Sequence, residues 1–253
     1  MQERLTSNEN QINIEPFNLE NDLANTASLY ANIFSGPPWN EYTQCTVDKI
    51  FFGKETKPGE LCNKCGSELV LAYPLDETKD YIKKEYSRPN SSFLIAKSRT
   101  ELIGFAWGFI YNQPSDFVTE KYRTEEMQQR VIKTLENNGV SSNFFYFSEA
   151  GVIGNFRGRG LSNQLSGKLI DQAKILNCPI VMRTNCLSPM VKIAQNVGMD
   201  LVYGPITRVD SIKKEFLRTG TFKNFLDIEN SDRVLFAKQT EKINPTELPN
   251  QRT

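Results

Sequence analysis

The chain has 253 residues and 39% hydrophobic content, enough to pack one large or two small domains. Its 30 basic and 30 acidic side chains cancel, which excludes a global field recruiting nucleic acid or an anionic membrane and leaves any anion site to be local. With no histidine, Ser-His and Cys-His nucleophile pairs, imidazole bases and His-ligated metals are excluded, so any chemistry rests on carboxylates, phenols, thiols, amines, backbone dipoles and water.

The first eleven residues are polar, without the apolar core of a signal peptide, and no later run approaches the ~20 apolar residues of a membrane span. A soluble, cytoplasmic protein is expected, with tails at 1–11 and 241–253. A short strand is predicted over 12–17, and Leu23, Ala27, Tyr30 and Phe34 then recur at helical spacing until Gly36-Pro37-Pro38. Residues 45–66 lose apolar periodicity and carry three of the five cysteines, as an inserted loop or small subdomain would. A strand over 69–73 and a helix over 78–86 follow.

Residues 92–96 and 102–111 read as an antiparallel hairpin turning at Arg99-Thr100. One helix is predicted over 117–135, with Met127, Val131 and Leu135 on a face, stopped at Asn137-Asn138-Gly139. An aromatic-rich strand over 143–152 comes next. Leu161, Leu165, Leu169 and Ala173 then keep one helix face apolar. Strands are predicted over 179–184, 201–206 and 234–238, with a short helix over 190–197 closed by Gly198. Strands mixed with helices, without strict βαβ repetition, predict an α/β fold of the α+β type: one mixed sheet flanked by helices.

Between the strand ending at Val152 and the helix starting at Leu161 lies Ile153-Gly154-Asn155-Phe156-Arg157-Gly158-Arg159-Gly160. Glycines let the backbone turn inward, the first helix amides have no intrahelical partners, and a helix N-terminus carries roughly half a positive charge. Such a loop suits a diphosphate, with Arg157 or Arg159 adding a charge-assisted contact. A Walker loop would require Gly-Lys-Ser/Thr where Leu161-Ser162 stands. A dinucleotide fingerprint would require a third glycine near Asn163 and an acidic residue ~20 positions later. An ordinary glycine-rich strand-to-helix turn with solvated arginines is the competing reading.

The segment Val152-x-x-x-x-Arg157-Gly158-x-Gly160-Leu161-Ser162 resembles the acetyl-CoA motif of the GNAT superfamily of N-acetyltransferases. Ser162 is not that family's usual small residue, and Gly154 stands where proline is common. The resemblance continues through Ile103-Gly104-Phe105-Ala106-Trp107-Gly108 and Val181-x-x-x-Asn185, then the helix ending in Gly198-Met199. It implies a GNAT-like domain over 12–240 with a single mixed, mostly antiparallel sheet splayed at its fourth and fifth strands, and a small Cys-bearing insert at 45–66. It further implies acetyl-CoA as cosubstrate, bound by Ala150, Val152, Arg157, Gly158, Arg159, Gly160, Leu161, Ser162 and Asn185, and an amine of a small molecule or peptide as acceptor by direct transfer in a ternary complex.

Direct transfer needs a base for the amine and a proton for the departing thiolate. Glu149 is the one acid on the strand before the motif. Strand alternation leaves it either a base with raised pKa among Phe145, Tyr146 and Phe147, or a solvated group on the outer face. Family members often place a tyrosine where this chain has Ala194, so Tyr203 or water is left to protonate the thiolate, and Tyr203 reads equally as packing. Trp39 and Glu41, in the link after the first helix, could stack on and pair with an ammonium, or form a capping turn.

Cys62-Asn63-Lys64-Cys65-Gly66 has the form of a zinc knuckle, and Cys45-Thr46-Val47-Asp48 repeats its gap with Asp as fourth ligand. Free thiols, or a ribbon that lost its metal, are the alternatives, while Cys178 and Cys186 read as small buried residues. Two other function classes stay open: a catalytically inactive CoA-binding regulatory module, for which Ala194 speaks, and a zinc-ribbon interaction protein. Nucleic acid is not an expected partner, there being no basic, aromatic-interleaved strip.

Overall fold

The computed structural model describes residues 12–37, 39–186, 188–204 and 233–239. Both predicted tails lie outside them, as do the final residues of the strand expected over 201–206. The first strand, β1 (Ile12–Pro16), pairs antiparallel with β5 (Ser92–Ser98). Lys97 ties them, reaching Glu15 at 2.6 Å and Asp22 at 3.0 Å. Helix α1 (Leu19–Phe34) starts where the Asn18 side chain accepts from the amides of Glu20 and Asn21, a cap contributing about 1 kcal/mol. Its buried face carries Ala27, Tyr30, Ile33 and Phe34.

Strands β2 (Thr43–Cys45), β3 (Ile50–Phe52) and β4 (Val70–Leu71) form a small antiparallel sheet in the order β3-β2-β4. Helix α2 (Leu75–Tyr86) begins three residues before the predicted 78. Pro74 caps it, Asp76 and Glu77 fill its first turn, and the Thr78 hydroxyl donates to the Pro74 carbonyl. Leu75 is 46% exposed, so the apolar periodicity carried no mark of that start. β5 turns into β6 (Glu101–Tyr111) at Arg99, whose φ of 55° lies in the left-handed region.

The single helix predicted over 117–135 is two: α3 (Pro114–Lys121) and α4 (Glu125–Asn137). Tyr122 is extended, and the Thr124 side chain accepts from the Met127 amide to open the second helix. β7 (Phe144–Val152) leads through a 3-10 turn, Gly154–Phe156, into α5 (Leu161–Ile175). β8 (Ile180–Asn185), α6 (Met190–Asn196), β9 (Asp200–Tyr203) and β10 (Arg233–Lys238) complete the described elements.

Among the described residues the main sheet has seven strands, in the order β1-β5-β6-β7-β8-β10-β9. It is mostly antiparallel. β7 and β8 are parallel over Phe145–Phe147, while β10 runs antiparallel to both β8 and β9. The fold is thus the mixed α/β arrangement expected. Two compact units divide the chain: Met1–Ser87 with Phe93–Ala106 and Glu149–Leu165, and Arg88–Ser92 with Trp107–Ser148 and everything from Ser166. The second is built around an aromatic core that includes Phe109, Phe117, Phe144, Tyr146 and Tyr203. Among the described residues no helix is long and apolar enough to cross a membrane.

Candidate active site

Every residue of the loop after β7 belongs to the first unit. β7 is seated against β6: the Ile153 amide donates to the Ile103 carbonyl at 3.0 Å, and a Cβ on Gly151 would come within 2.8 Å of the Phe105 ring and 2.9 Å of Ile33. The 3-10 turn then lifts the chain outward, and Gly158 and Gly160 both adopt φ of +77°. No heavy atom lies within 4 Å of a Cβ placed on either. Glycine is therefore demanded there by backbone conformation and not by crowding. Gly154 has open space too, yet its φ is outside the left-handed range, so the backbone there does not require glycine.

Helix α5 is anchored by fully buried Leu165 and Leu169, with Leu161 2% exposed. Its first intrahelical bond runs from Gln164 to the Gly160 carbonyl at 3.1 Å. The amides of Leu161, Ser162 and Asn163 thus precede the helix ladder and face an exposed loop, with the positive end of the helix dipole behind them. Arg157 braces the loop: its Nε donates to the Val152 carbonyl at 3.0 Å and its Nη1 to the Pro37 carbonyl at 3.1 Å, clamping the loop base to the link after α1. Arg159 lies with its guanidinium 5.0 Å from the Phe156 ring centroid and is solvent exposed.

Four residues upstream of the loop's start, Glu149 is half-buried, and its Oε1 accepts from the Tyr81 hydroxyl at 3.0 Å and the Tyr30 hydroxyl at 3.3 Å. Its neighbours are therefore phenols from α2 and α1. Tyr30 is buried, and burial first, then the charge of Glu149, pushes its pKa well above the ordinary tyrosine value, so it stays a proton donor. Tyr30 also meets the rings of Phe34 at 4.4 Å, Tyr73 at 5.3 Å and Phe105 at 5.7 Å. A cavity of about 230 Å³ opens beside it, lined by Tyr30, Tyr73, Pro74, Glu77, Thr78 and Tyr81. Glu77 and Tyr81, four apart on α2, share that wall.

Glu41 is 9% exposed and accepts a hydrogen bond from Tyr73, which separates the first cavity from a second of about 330 Å³ lined also by Asn32, Ser35 and Glu41. Trp39 is half-buried, its ring 5.3 Å from Phe34. The first unit thus gathers Glu149, Glu41 and Glu77 around tyrosines. Sequence reasoning missed Tyr30, Tyr73, Tyr81 and Glu77, since helix periodicity files the first as core and assigns the others no chemistry. Three phenols at otherwise apolar positions of a histidine-free chain were the available signal.

Asn185 and Tyr203 belong to the second unit. Asn185 ends β8 opposite Arg233, and its carbonyl accepts from the Ser188 amide at 2.9 Å. Tyr203 is 1% exposed, its ring 6.4 Å from that of Tyr122 in the aromatic core, which is a packing environment. Ala194 is fully buried. Cys45, Asp48, Cys62 and Cys65 are brought together in the first unit with one ligand atom of each within 4.8 Å of the others.

A family model described as "Acetyltransferase (GNAT) family" matches residues 60–196, more than half of the chain. The chain belongs to the GNAT acetyltransferase family. It is accordingly an acyltransferase, of a family that uses acetyl-CoA. The match takes in Glu149, the glycine loop and α2, and leaves out Tyr30, Glu41, Cys45 and Asp48.

Solved GNAT structures share the fold. The polyamine N acetyltransferase of Drosophila melanogaster, described as forming N acetylagmatine, is 10% identical with a TM-score of 0.52, over 90% of this chain and 100% of that one. NAA60 of Arabidopsis thaliana, solved with a bisubstrate analogue, is 12% identical with a TM-score of 0.50, over 92% and 100%. The putative acetyltransferase yncA of Salmonella typhimurium, solved with acetyl-CoA, gives 10% and 0.49 over 92% and 95%. Comparison with the curated proteins finds no matching sequence.

Proposed function

We propose that this GNAT protein transfers an acetyl group from acetyl-CoA to a cationic amine, with Glu149 receiving the proton that the amine must lose. The observation that carries the reading is the double hydrogen bond from Tyr30 and Tyr81 to Glu149, made by two phenols that also line the adjoining cavity. The acetyl thioester supplies an activated acyl carbon. The chain supplies position: amides at the start of α5 and the left-handed Gly158 and Gly160 form a cradle of donors for the diphosphate, Arg157 holds that cradle to the link after α1, and Arg159 is the exposed cation of the loop. This donor set fits an anionic diphosphate by charge and by the open space above the glycines.

An alkylammonium entering the cavity meets aromatic faces and the carboxylate of Glu77, the combination that attracts cations, with Glu149 reached through the lining hydroxyls of Tyr30 and Tyr81. Proton transfer to Glu149 frees the nitrogen lone pair. The new N–C bond then forms as the C–S bond breaks, and the second proton, left on the acylated nitrogen, passes through water to the departing thiolate, giving the neutral amide and the free thiol. Tyr203 is not needed in this scheme, and its buried packing position agrees with that.

The test is thiol release with acetyl-CoA over a panel of alkylamines, arylalkylamines, polyamines and neutral analogues of the same shape. Cationic amines should accelerate release, and Glu149→Gln, which keeps an acceptor oxygen for Tyr30 and Tyr81, should lower kcat by ~10²–10⁴ while acetyl-CoA affinity stays within twofold. Acetyl-CoA binding without amine-stimulated release would overturn the catalytic reading in favour of a CoA-binding regulatory module. An unchanged rate in Glu149→Gln would remove the base.

A further inference from the structure

We propose that Cys45, Asp48, Cys62 and Cys65 bind one zinc ion as a closed, four-ligand structural site that staples the small β3-β2-β4 sheet. The Sγ atoms of Cys45 and Cys65 are 3.4 Å apart, and Asp48 Oδ2 lies 3.3 Å from Cys62 Sγ and 3.7 Å from Cys45 Sγ. Ligand-to-ligand edges of a tetrahedron with bonds of ~2.0–2.3 Å run ~3.3–3.8 Å. The sulfur separation is far beyond the ~2.05 Å of a disulfide, and all three cysteines are unbridged.

The two halves are copies of one turn. In Cys62-x-x-Cys65-Gly66 the Gly66 amide donates to the Cys62 carbonyl at 2.9 Å and Gly66 has φ of 73°. In Cys45-x-x-Asp48-Lys49 the Lys49 amide donates to the Cys45 carbonyl at 2.9 Å and Lys49 has φ of 56°. A lysine held in a conformation that favours glycine, so as to reproduce the partner turn, indicates that the turn geometry itself is required. The Asp48 amide also points at the Cys45 sulfur at 3.3 Å, a contact that supports a thiolate. Ser67 stands 3.3 Å from Cys65 Sγ.

The surrounding packing gives the ion its task. The buried core of this sheet is Cys45, Cys62 and Leu69, flanked by half-buried Ile50 and Phe52. Its strands are three, three and two residues long. An apolar core of that size does not fix so short a sheet unaided, and small folds of this kind are stapled by metals or disulfides. Soft thiolates in a tetrahedral set select zinc among abundant divalent ions, and four protein ligands leave no open position for catalysis. The same sheet continues at its other end into Tyr42 and Ala72, which are hydrogen-bonded to each other next to Glu41 and Tyr73.

Metal analysis of full-length protein, expressed with supplementary zinc and purified without chelator, tests the proposal independently of the amine-acetylation reading because no substrate is involved. One zinc per chain is expected. Cys62→Ser should lower it at least tenfold, whereas Asp48→Cys should keep one equivalent and slow its release to a chromogenic chelator. Should Cys62→Ser not fold, wild-type protein still reports: the chelator should withdraw one equivalent and lower Tm. Zinc below a tenth of an equivalent in the wild type, iron in its place, a Cys45–Cys65 disulfide in the unreduced intact mass, or Asp48→Cys binding less zinc than wild type would each overturn the proposal.

Discussion

Replace Gly158 with alanine and nothing collides, for no heavy atom lies within 4 Å of the added Cβ. The cost is conformational. At φ of +77° an L-residue is disfavoured by ~1–2 kcal/mol relative to the right-handed region. Because residues 158–160 are exposed, the free loop can relax out of the left-handed conformation and recover that energy, so the penalty falls on binding. At 1.4 kcal/mol per decade, acetyl-CoA affinity should fall roughly 5- to 30-fold. Gly160→Ala should behave alike, φ being the same. Gly154→Ala is the internal control, with equal open space and no left-handed φ, and should stay within twofold. Calorimetric titration of the three variants decides it. If Gly154→Ala weakens binding as much as Gly158→Ala, or if neither left-handed position matters, the glycines are not shaping a diphosphate cradle and that assignment is wrong.

The two loop arginines should separate in the same titration. Arg157→Ala loses two charge-assisted bonds to carbonyls and should destabilise the fold by about 1–2 kcal/mol in urea, while Arg159→Ala should cost under ~0.5 kcal/mol of stability but flatten the salt dependence of acetyl-CoA binding. In the second unit, burial raises the pKa of Glu120, but Lys121 and hydrogen bonds from Arg88, Tyr111 and Lys121 outweigh it and bring it to about 2. A pKa below the unfolded value of roughly 4.3 stabilises the fold above that pH, and the contribution disappears as pH falls through about 2. Discounted for a side chain 32% exposed, it is worth about 1–2 kcal/mol. Urea midpoints of wild type and Glu120→Gln should therefore differ at pH 6, draw together below about pH 4 and converge only below about pH 2, and a gap undiminished between pH 6 and about pH 1.5 would refute the linkage.

What the sequence disclosed followed the range of the forces involved. The hairpin at Arg99, the α1 face and the strand-loop-helix around Gly158 are local, each set by periodicity or a glycine φ within about a dozen residues, and each was legible. The break at Tyr122 was hidden because Phe117, Val131 and Leu135 are all fully buried, so apolar spacing alone runs straight through it. Only the Thr124 cap marks the second start. Glu149 shows the limit most clearly. Strand alternation offers two faces and cannot choose between them, and the partners that settle its surroundings, Tyr30 and Tyr81, lie 119 and 68 residues away. The same holds for Arg157, whose place in the motif is local while one of its carbonyl partners sits 120 residues upstream.

That contrast bears on how specificity is encoded here. In the proposed function the donor side is made of main-chain amides and glycine torsions, which depend little on side-chain identity. The proposed acceptor side is made of side chains from α1, the turn after β4, α2 and β7, none of them part of the loop motif. That side is phenolic and acidic: Tyr73 lines both cavities and donates to Glu41, while Tyr30 and Tyr81 donate to Glu149. Without histidine, proton transfer at such a site falls to carboxylates held by phenols, and these carboxylates also attract the ammonium form of the acceptor. On the proposed mechanism, binding the cation and relieving it of its proton become successive tasks of these carboxylates, so amines protonated in solution should be accepted over weakly basic ones.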